Sequence, residues 1–250
     1  MMFAIDCGNS RIKWRRFEAG QQYEKGGASL LDGSDPFSAL GEALVEGVDR
    51  VLVANVAGAE VAERIAVTVR SGLSITPEFV SVEAKAHGIE CAYRHPQTLG
   101  VDRWLAMIAA RRFVDGPFAV VCAGTAVTFD AVDAGGRHLG GLILPGDRLM
   151  IEAVAANTDQ VPVVASAGDV VEGLTLLGCS TAEAVGRGAR VALAAAVDRA
   201  VAVVVDALAA EVSVIVTGGD GPVLAQWFAS KPCVRADLVL EGISIVADEE

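Results

Sequence analysis

Two short segments carry residue types that could handle phosphate. Met2-Phe3-Ala4-Ile5-Asp6 is an apolar run with a carboxylate at its end, and Cys7-Gly8-Asn9-Ser10 follows it. A glycine turn leaving a strand lets backbone N–H groups approach phosphate oxygens. A carboxylate at that strand end can hold Mg²⁺ directly or through water. Lys13, on the outgoing strand, can reach a phosphate as a point charge. Downstream, Phe118 to Val121 leads into Cys122-Ala123-Gly124-Thr125-Ala126, a second such loop with a hydroxyl. Taken singly, either loop reads more readily as an ordinary hairpin turn, with Asp6 as a turn acceptor. Their duplication shifts the balance toward a nucleotide. Neither G-x-x-x-x-G-K-[ST] nor a G-x-G-x-x-G opening the first helix is present.

A third segment, Leu99-Gly100-Val101-Asp102-Arg103-Trp104, precedes Leu105, Ile108, Ala109 and Arg112 at helical spacing. Asp102 therefore falls at or near a helix N-terminus. There it is either an N-cap, worth about 1 kcal/mol, or a base for a substrate hydroxyl in phosphoryl transfer. Arg103 either pairs with an anionic group or is a solvated surface charge. Spacing alone favours the cap. Tyr93 and Pro96 line a pocket or pack a loop, Ser180 or Thr181 caps a long helix, and Thr217-Gly218-Gly219-Asp220 ends a strand where ligands of open α/β sheets collect.

The elements that must position these residues occur twice. Each half opens with a hairpin meander: strands Met2 to Asp6 and Arg11 to Phe17, turning at Glu18-Ala19-Gly20, then Phe118 to Val121, Ala126 to Val132 and a return through Arg137 to Leu144. Gly in short loops between extended runs is a hairpin signal. Helices and strands then alternate. Helices are expected at Pro36 to Gly47, Glu60 to Arg70, Leu149 to Ala156, Thr181 to Ala210 and from Pro222 to Ala229. Strands are expected at Val51 to Ala54, Glu78 to Val82 and Val212 to Val216. The pattern predicts an α/β chain of two domains, 1–115 and 116–250, with mixed sheets flanked by helices and a cleft between them.

Composition narrows the partners. The 250 residues carry a formal net charge of −12 with 52% hydrophobic residues, and a pI near 4.7. Nucleic acid and anionic membrane surfaces both need a basic protein face, so neither is expected as a partner. Val191 to Ala210 is apolar enough to suggest a membrane span, but Asp198, Arg199 and Asp206 interrupt it. Asp6 arrives too early, and Arg11, Lys13, Arg15 and Arg16 too late, for a secretory leader. Cys7, Cys91, Cys122, Cys179 and Cys233 are odd in number without a C-x-x-C pair, and His87, His95 and His138 lack metal-ligand spacing. A cytoplasmic protein is expected.

Together the motifs resemble those of type III pantothenate kinases, within the superfamily of acetate and sugar kinases, Hsp70 and actin. They are Asp6 to Lys13, Tyr93-x-x-Pro96, Gly100-Val101-Asp102-Arg103, Gly124-Thr125-Ala126-Val127-Thr128-Phe129-Asp130, Gly140-Gly141-Leu142-Ile143-Leu144-Pro145-Gly146, Ser180-Thr181, Thr217 to Asp220 and Glu241-Gly242. The resemblance implies two duplicated ribonuclease H-like (actin-like ATPase) domains and ATP-dependent phosphorylation of pantothenate to 4′-phosphopantothenate, which opens coenzyme A synthesis. It implies that Asp6, Cys7, Gly8, Asn9, Ser10, Arg11, Ile12 and Lys13 form the first phosphate loop, with Asp6 serving Mg²⁺, and that Thr125 contacts ATP. Asp102 is implied as the base, and Tyr93, Gly100, Val101, Asp102, Arg103 and Thr181 as pantothenate contacts. It also implies a homodimer with the substrate site at the subunit interface, so that Thr181 serves the partner's site. The family's activating K⁺ or NH₄⁺ is held by an aspartate at the position of Cys122, and a neutral thiol is a poor ligand for such a hard ion. A non-catalytic nucleotide-binding regulatory factor is the alternative from another class, and a different superfamily kinase or phosphatase is a third reading.

Overall fold

The structure, a computed structural model, describes residues 1–18, 21–31, 33–158 and 173–249. Its contacts divide the chain into two units, Met1–Arg112 with Leu238–Glu250, and Phe113–Asp237.

The first unit grows from the opening apolar run, which forms β1 (Met2–Cys7), antiparallel to β2 (Arg11–Glu18). Ile12, Trp14 and Phe17 of β2 are buried. Strand β3 (Gln21–Ser29) completes the meander although its sequence lacks β-branched residues. Tertiary packing specifies it instead: a side chain at Gly26 would run into the Trp14 indole, 2.6 Å from Cε2. Of the expected turn, Ala19 and Gly20 lie outside the described residues. Helix α1 (Pro36–Ala43) starts with the Asp35 carboxylate accepting from Phe37 N at 3.2 Å and with Pro36 in its first turn. It stops before Gly47 because Leu44 turns extended. Strand β4 (Arg50–Asn55) lies parallel to β1, helix α2 (Ala59–Leu73) follows, and β5 (Glu78–Phe79) pairs parallel with β4. A small hairpin, β6 (Lys85–Ala86) with β7 (Ile89–Glu90), precedes α3 (Val101–Arg111). The sheet order is β3-β2-β1-β4-β5.

The second unit repeats that order. Its meander is β8 (Phe118–Ala123), β9 (Ala126–Val132) and β10 (His138–Pro145). Helices α4 (Asp147–Ala156) and α5 (Thr181–Leu208) follow. Then come β11 (Ser213–Thr217) parallel to β8, the short α6 (Gly221–Leu224) and β12 (Cys233–Val234). The sheet reads β10-β9-β8-β11-β12. One face buries Val121, Phe129 and Val216 against Leu193, Ala194 and Val197 of α5. The apolar stretch around Val197 is thus a core helix, and Asp198 accepts from Ala229 N at 3.0 Å. Among the described residues no helix is long and apolar enough to cross a membrane.

The last helix, α7 (Leu238–Glu249), departs from the expected division at 115/116 by packing on α3 in the first unit. Gly242 allows the close approach, since a Cβ there would strike the Leu105 carbonyl. Arg50 clamps the far end, donating to the Ala247 carbonyl at 3.1 Å while gripping both carboxylate oxygens of Glu78.

Candidate active site

The β1–β2 hairpin is tight. Gly8 N donates to the Arg11 carbonyl at 3.0 Å, leaving Asn9 and Ser10 at the tip, and Leu30 N holds the Ser10 carbonyl at 2.9 Å. A Cβ on Gly8 would meet only the Arg11 carbonyl, at an ordinary 3.7 Å, and the residue is not left-handed. Internal packing therefore does not demand glycine there, whereas close approach of a ligand to the backbone would. Asp6 pairs with Lys13 across the ladder, so both side chains leave the same face. Cys7 and Ile12 point the other way into the core. Burial, and then the neighbouring Asp6 charge, push the Cys7 thiol up to about 12.

Asp102 is the second residue of α3, and Gly100 occupies the cap position. The capping role favoured by spacing is thus not what the carboxylate performs: its Oδ1 accepts from Arg103 N at 2.9 Å, and no side chain caps the helix. Gly100 makes room for it, because a Cβ would stand 2.5 Å from Asp102 Oδ1. Arg103 is 4% exposed, which removes the solvated-charge reading. Its Nη1 donates to the Tyr93 hydroxyl at 3.1 Å, with the guanidinium 5.8 Å from the ring centroid. Tyr93, separated from Arg103 by ten positions, is thereby brought to the start of α3, and Gly100, Val101 and Asp102 lie alongside.

In the second unit, Gly124 and Thr125 link β8 to β9. Gly124 N donates to the Ala126 carbonyl at 3.1 Å, and the Thr125 carbonyl accepts from Gly146 N at 2.9 Å. A Cβ on Gly124 would meet nothing within 4 Å, so this glycine, like Gly8, lacks an internal steric reason. The end of β11 lies beside this loop: Asp220 N donates to the Ala123 carbonyl at 3.2 Å, after Gly218 in a left-handed conformation with φ +94. Ser180 caps α5, accepting from Glu183 N at 3.2 Å while Glu183 accepts from Cys179 N at 2.8 Å. Thr181 is therefore the first helical residue, exposed.

Two ions implied by the sequence meet different surroundings. Among the described residues no group of three or more His, Cys, Asp or Glu could cage a metal. Asp6 alone suits Mg²⁺, which keeps waters and takes substrate phosphates as its other ligands. At Cys122 the registered neighbours are Thr128 and Thr217, both neutral and buried, and Thr128 Oγ1 has no hydrogen-bond partner. Asp130, two residues along the same face, bonds the buried His138 at 2.9 Å. The Cys122 thiol itself is a poor ligand for a hard monovalent cation.

Two features escape sequence reasoning: the seating of Gly146 on the Gly124-Thr125 loop, and the buried Asp130–His138 pair. Neither leaves a local signature, since each joins different strands or loops.

A family model described as type III pantothenate kinase matches residues 2–203. The chain belongs to the type III pantothenate kinase family. It is 35% identical to the type III pantothenate kinase of Nitrosococcus oceani, over 100% of this chain and 94% of that protein. The type III pantothenate kinase of Aromatoleum aromaticum is 36% identical over 100% of this chain and 99% of its own. Among solved structures, the activator of 2-hydroxyisocaproyl-CoA dehydratase from Clostridium difficile with bound ADPNP superposes with TM-score 0.56 at 12% identity, covering 99% of this chain and 94% of its own. Ethanolamine utilization protein EutJ from Carboxydothermus hydrogenoformans gives 0.56 at 13%, covering 97% and 88%. At such identities these two establish the fold that the type III kinase family shares, the actin-like ATPase architecture.

Proposed function

We propose that this chain transfers the γ-phosphoryl group of ATP to the primary hydroxyl of pantothenate, giving 4′-phosphopantothenate and ADP. The observation that carries the reading is the start of α3. There a carboxylate that does not cap its helix stands next to a buried arginine held by a tyrosine. Phosphoryl transfer asks the protein mainly for positioning and charge neutralisation. Asp102 accepts the hydroxyl proton as oxygen attacks phosphorus. Arg103 and Tyr93, together with Gly100 and Val101, bind pantothenate, whose carboxylate suits the guanidinium.

The hairpin Asp6 to Lys13 presents backbone N–H groups and the Lys13 ammonium to phosphates, and Thr125, in the loop between β8 and β9, contacts ATP. Asp6 would hold Mg²⁺, which when bound neutralises phosphate charge. No monovalent cation is assigned, because the Cys122 thiol is a poor ligand for such an ion. A homodimer, with Thr181 serving the partner's substrate site, is supported by the edge strand β10, which leaves Leu142 and Ile143 46% and 64% exposed. A cytoplasmic location is supported by the five cysteines, all of them outside disulfides. The regulatory alternative would need a lost base or phosphate loop, and the chain retains all of them.

The test is ADP release by the purified protein with Mg-ATP, with and without pantothenate. Pantothenate-dependent release is expected. ATP binding without turnover would overturn the catalytic assignment.

A further inference from the structure

Gly146 is extended, with φ −66 and ψ 169, so its backbone would accept any residue. Space forbids one: a Cβ there would press on the Gly124 carbonyl and stand 2.8 Å from the Thr125 carbonyl oxygen. The same residue donates its N–H to the Thr125 carbonyl at 2.9 Å, fixing the loop by contact and by hydrogen bond. Gly146 is held in turn. It is the N-cap of α4, whose next residue, Asp147, takes the Arg190 Nε at 3.0 Å. That pair is only 19% and 10% exposed. Arg190 stands one turn before Leu193 and Ala194 of α5, which are buried against the sheet that carries the loop. A chain of short contacts therefore runs from the core helix through Arg190, Asp147 and Gly146 to the backbone of Thr125, all within one unit.

We infer that Gly146 and the Asp147–Arg190 pair are positioning residues that hold the Gly124-Thr125 loop in its nucleotide-binding shape. The inference rests on the reading of Thr125 as an ATP contact. Gly146 never touches the nucleotide in this account; it acts through the Thr125 carbonyl and the Gly124 peptide. Since a misplacement of about 1 Å can cost on the order of 100-fold in rate, a methyl group between the two segments is a sensitive probe.

The experiment compares wild type with Gly146→Ala, Arg190→Ala and Arg190→Lys. Mg-ATP affinity is measured by calorimetry, both KM values by steady-state kinetics, and Tm by thermal melting. Gly146→Ala should raise the Mg-ATP Kd and KM by roughly 10- to 100-fold, with the pantothenate KM unchanged. Arg190→Ala should give a smaller rise of the same selectivity, about three- to tenfold, and Arg190→Lys should recover part of it. A merely structural role would lower Tm and affect both substrates alike, which overturns the inference. Wild-type Mg-ATP affinity in folded Gly146→Ala also overturns it. If that variant does not fold, unchanged ATP affinity in Arg190→Ala has the same force. Absence of Mg-ATP binding by wild type itself would overturn the kinase reading and this inference together, whereas binding by wild type with unchanged variants refutes the inference alone.

Discussion

Replacing Asp102 by Asn separates chemistry from helix stability. The amide keeps an oxygen where Oδ1 accepts from Arg103 N at 2.9 Å, and it fits the room left by Gly100. What it loses is charge and basicity. The charge lies in the first turn of α3, where a carboxylate interacts with the helix dipole by about 0.3–1 kcal/mol. For a chain of this size that lowers Tm by no more than about 4 °C. A positioned base contributes roughly 10²- to 10⁴-fold, or about 3–6 kcal/mol at about 1.4 kcal/mol per decade. The two effects therefore differ several-fold in energy and appear in different assays. Asp102→Asn should lower kcat by at least about 100-fold, with the KM for ATP and the melting curve close to wild type. Turnover within about tenfold of wild type would refute the base assignment, because a proton acceptor cannot be removed that cheaply. A large fall in Tm with loss of ATP binding would refute the view that the carboxylate is structurally dispensable.

Turnover should be the same in sodium, potassium and ammonium buffers, because the Cys122 thiol is a poor ligand for such ions, and Cys122→Asp should introduce a dependence on potassium, read as a rise in kcat with added salt. At pH 8 a thiol reagent should modify exposed Cys179 and Cys233 quickly but reach Cys7 only after unfolding. The Cys7 thiol is raised from 9.0 to about 12, so the unfolded chain releases its proton first. Stability due to this group is complete below pH 9 and declines as pH rises toward 12, which urea melts of wild type and Cys7→Ala at pH 8 and pH 10 would reveal. Gly242→Ala should overpack α7 against the Leu105 carbonyl at a cost of about 1–3 kcal/mol, seen as a Tm lower by roughly 2–12 °C.

The parts of the fold legible in the sequence are those with local causes. The runs Met2 to Ile5 and Phe118 to Val121 are continuous and apolar because each becomes a central strand between two neighbours. Pro36 announces α1, because its fixed φ suits a first helical turn. Strand β3 was illegible because its reason is the Trp14 indole beneath Gly26, a contact across strands. The residue types of the site were legible from Asp6, Gly8, Asp102 and Gly124, while their duties were not. Spacing favoured a cap for Asp102 and left Arg103 open between an anion partner and a surface charge. Gly100 holds the cap position instead, and Arg103 is buried against the Tyr93 hydroxyl, which depends on the loop from Tyr93 to Leu99 folding back onto α3. The last helix shows the same limit from another side, since its apolar residues mark an amphipathic segment but not which of two similar sheets it serves.

That return of α7 to the first unit sets an order for biosynthesis. A nascent chain emerging from the ribosome presents β1 to α3 early, yet these elements wait for a helix encoded after the whole second unit. The second unit is contiguous and can close on its own schedule, as domains made in sequence tend to do. Meanwhile Leu105, opposite Gly242, lacks its cover, which gives chaperones a defined apolar surface to hold. A premature stop codon just before Leu238 would therefore yield a protein with both phosphate loops and the Asp102 segment translated, but with the first unit left open to proteolysis.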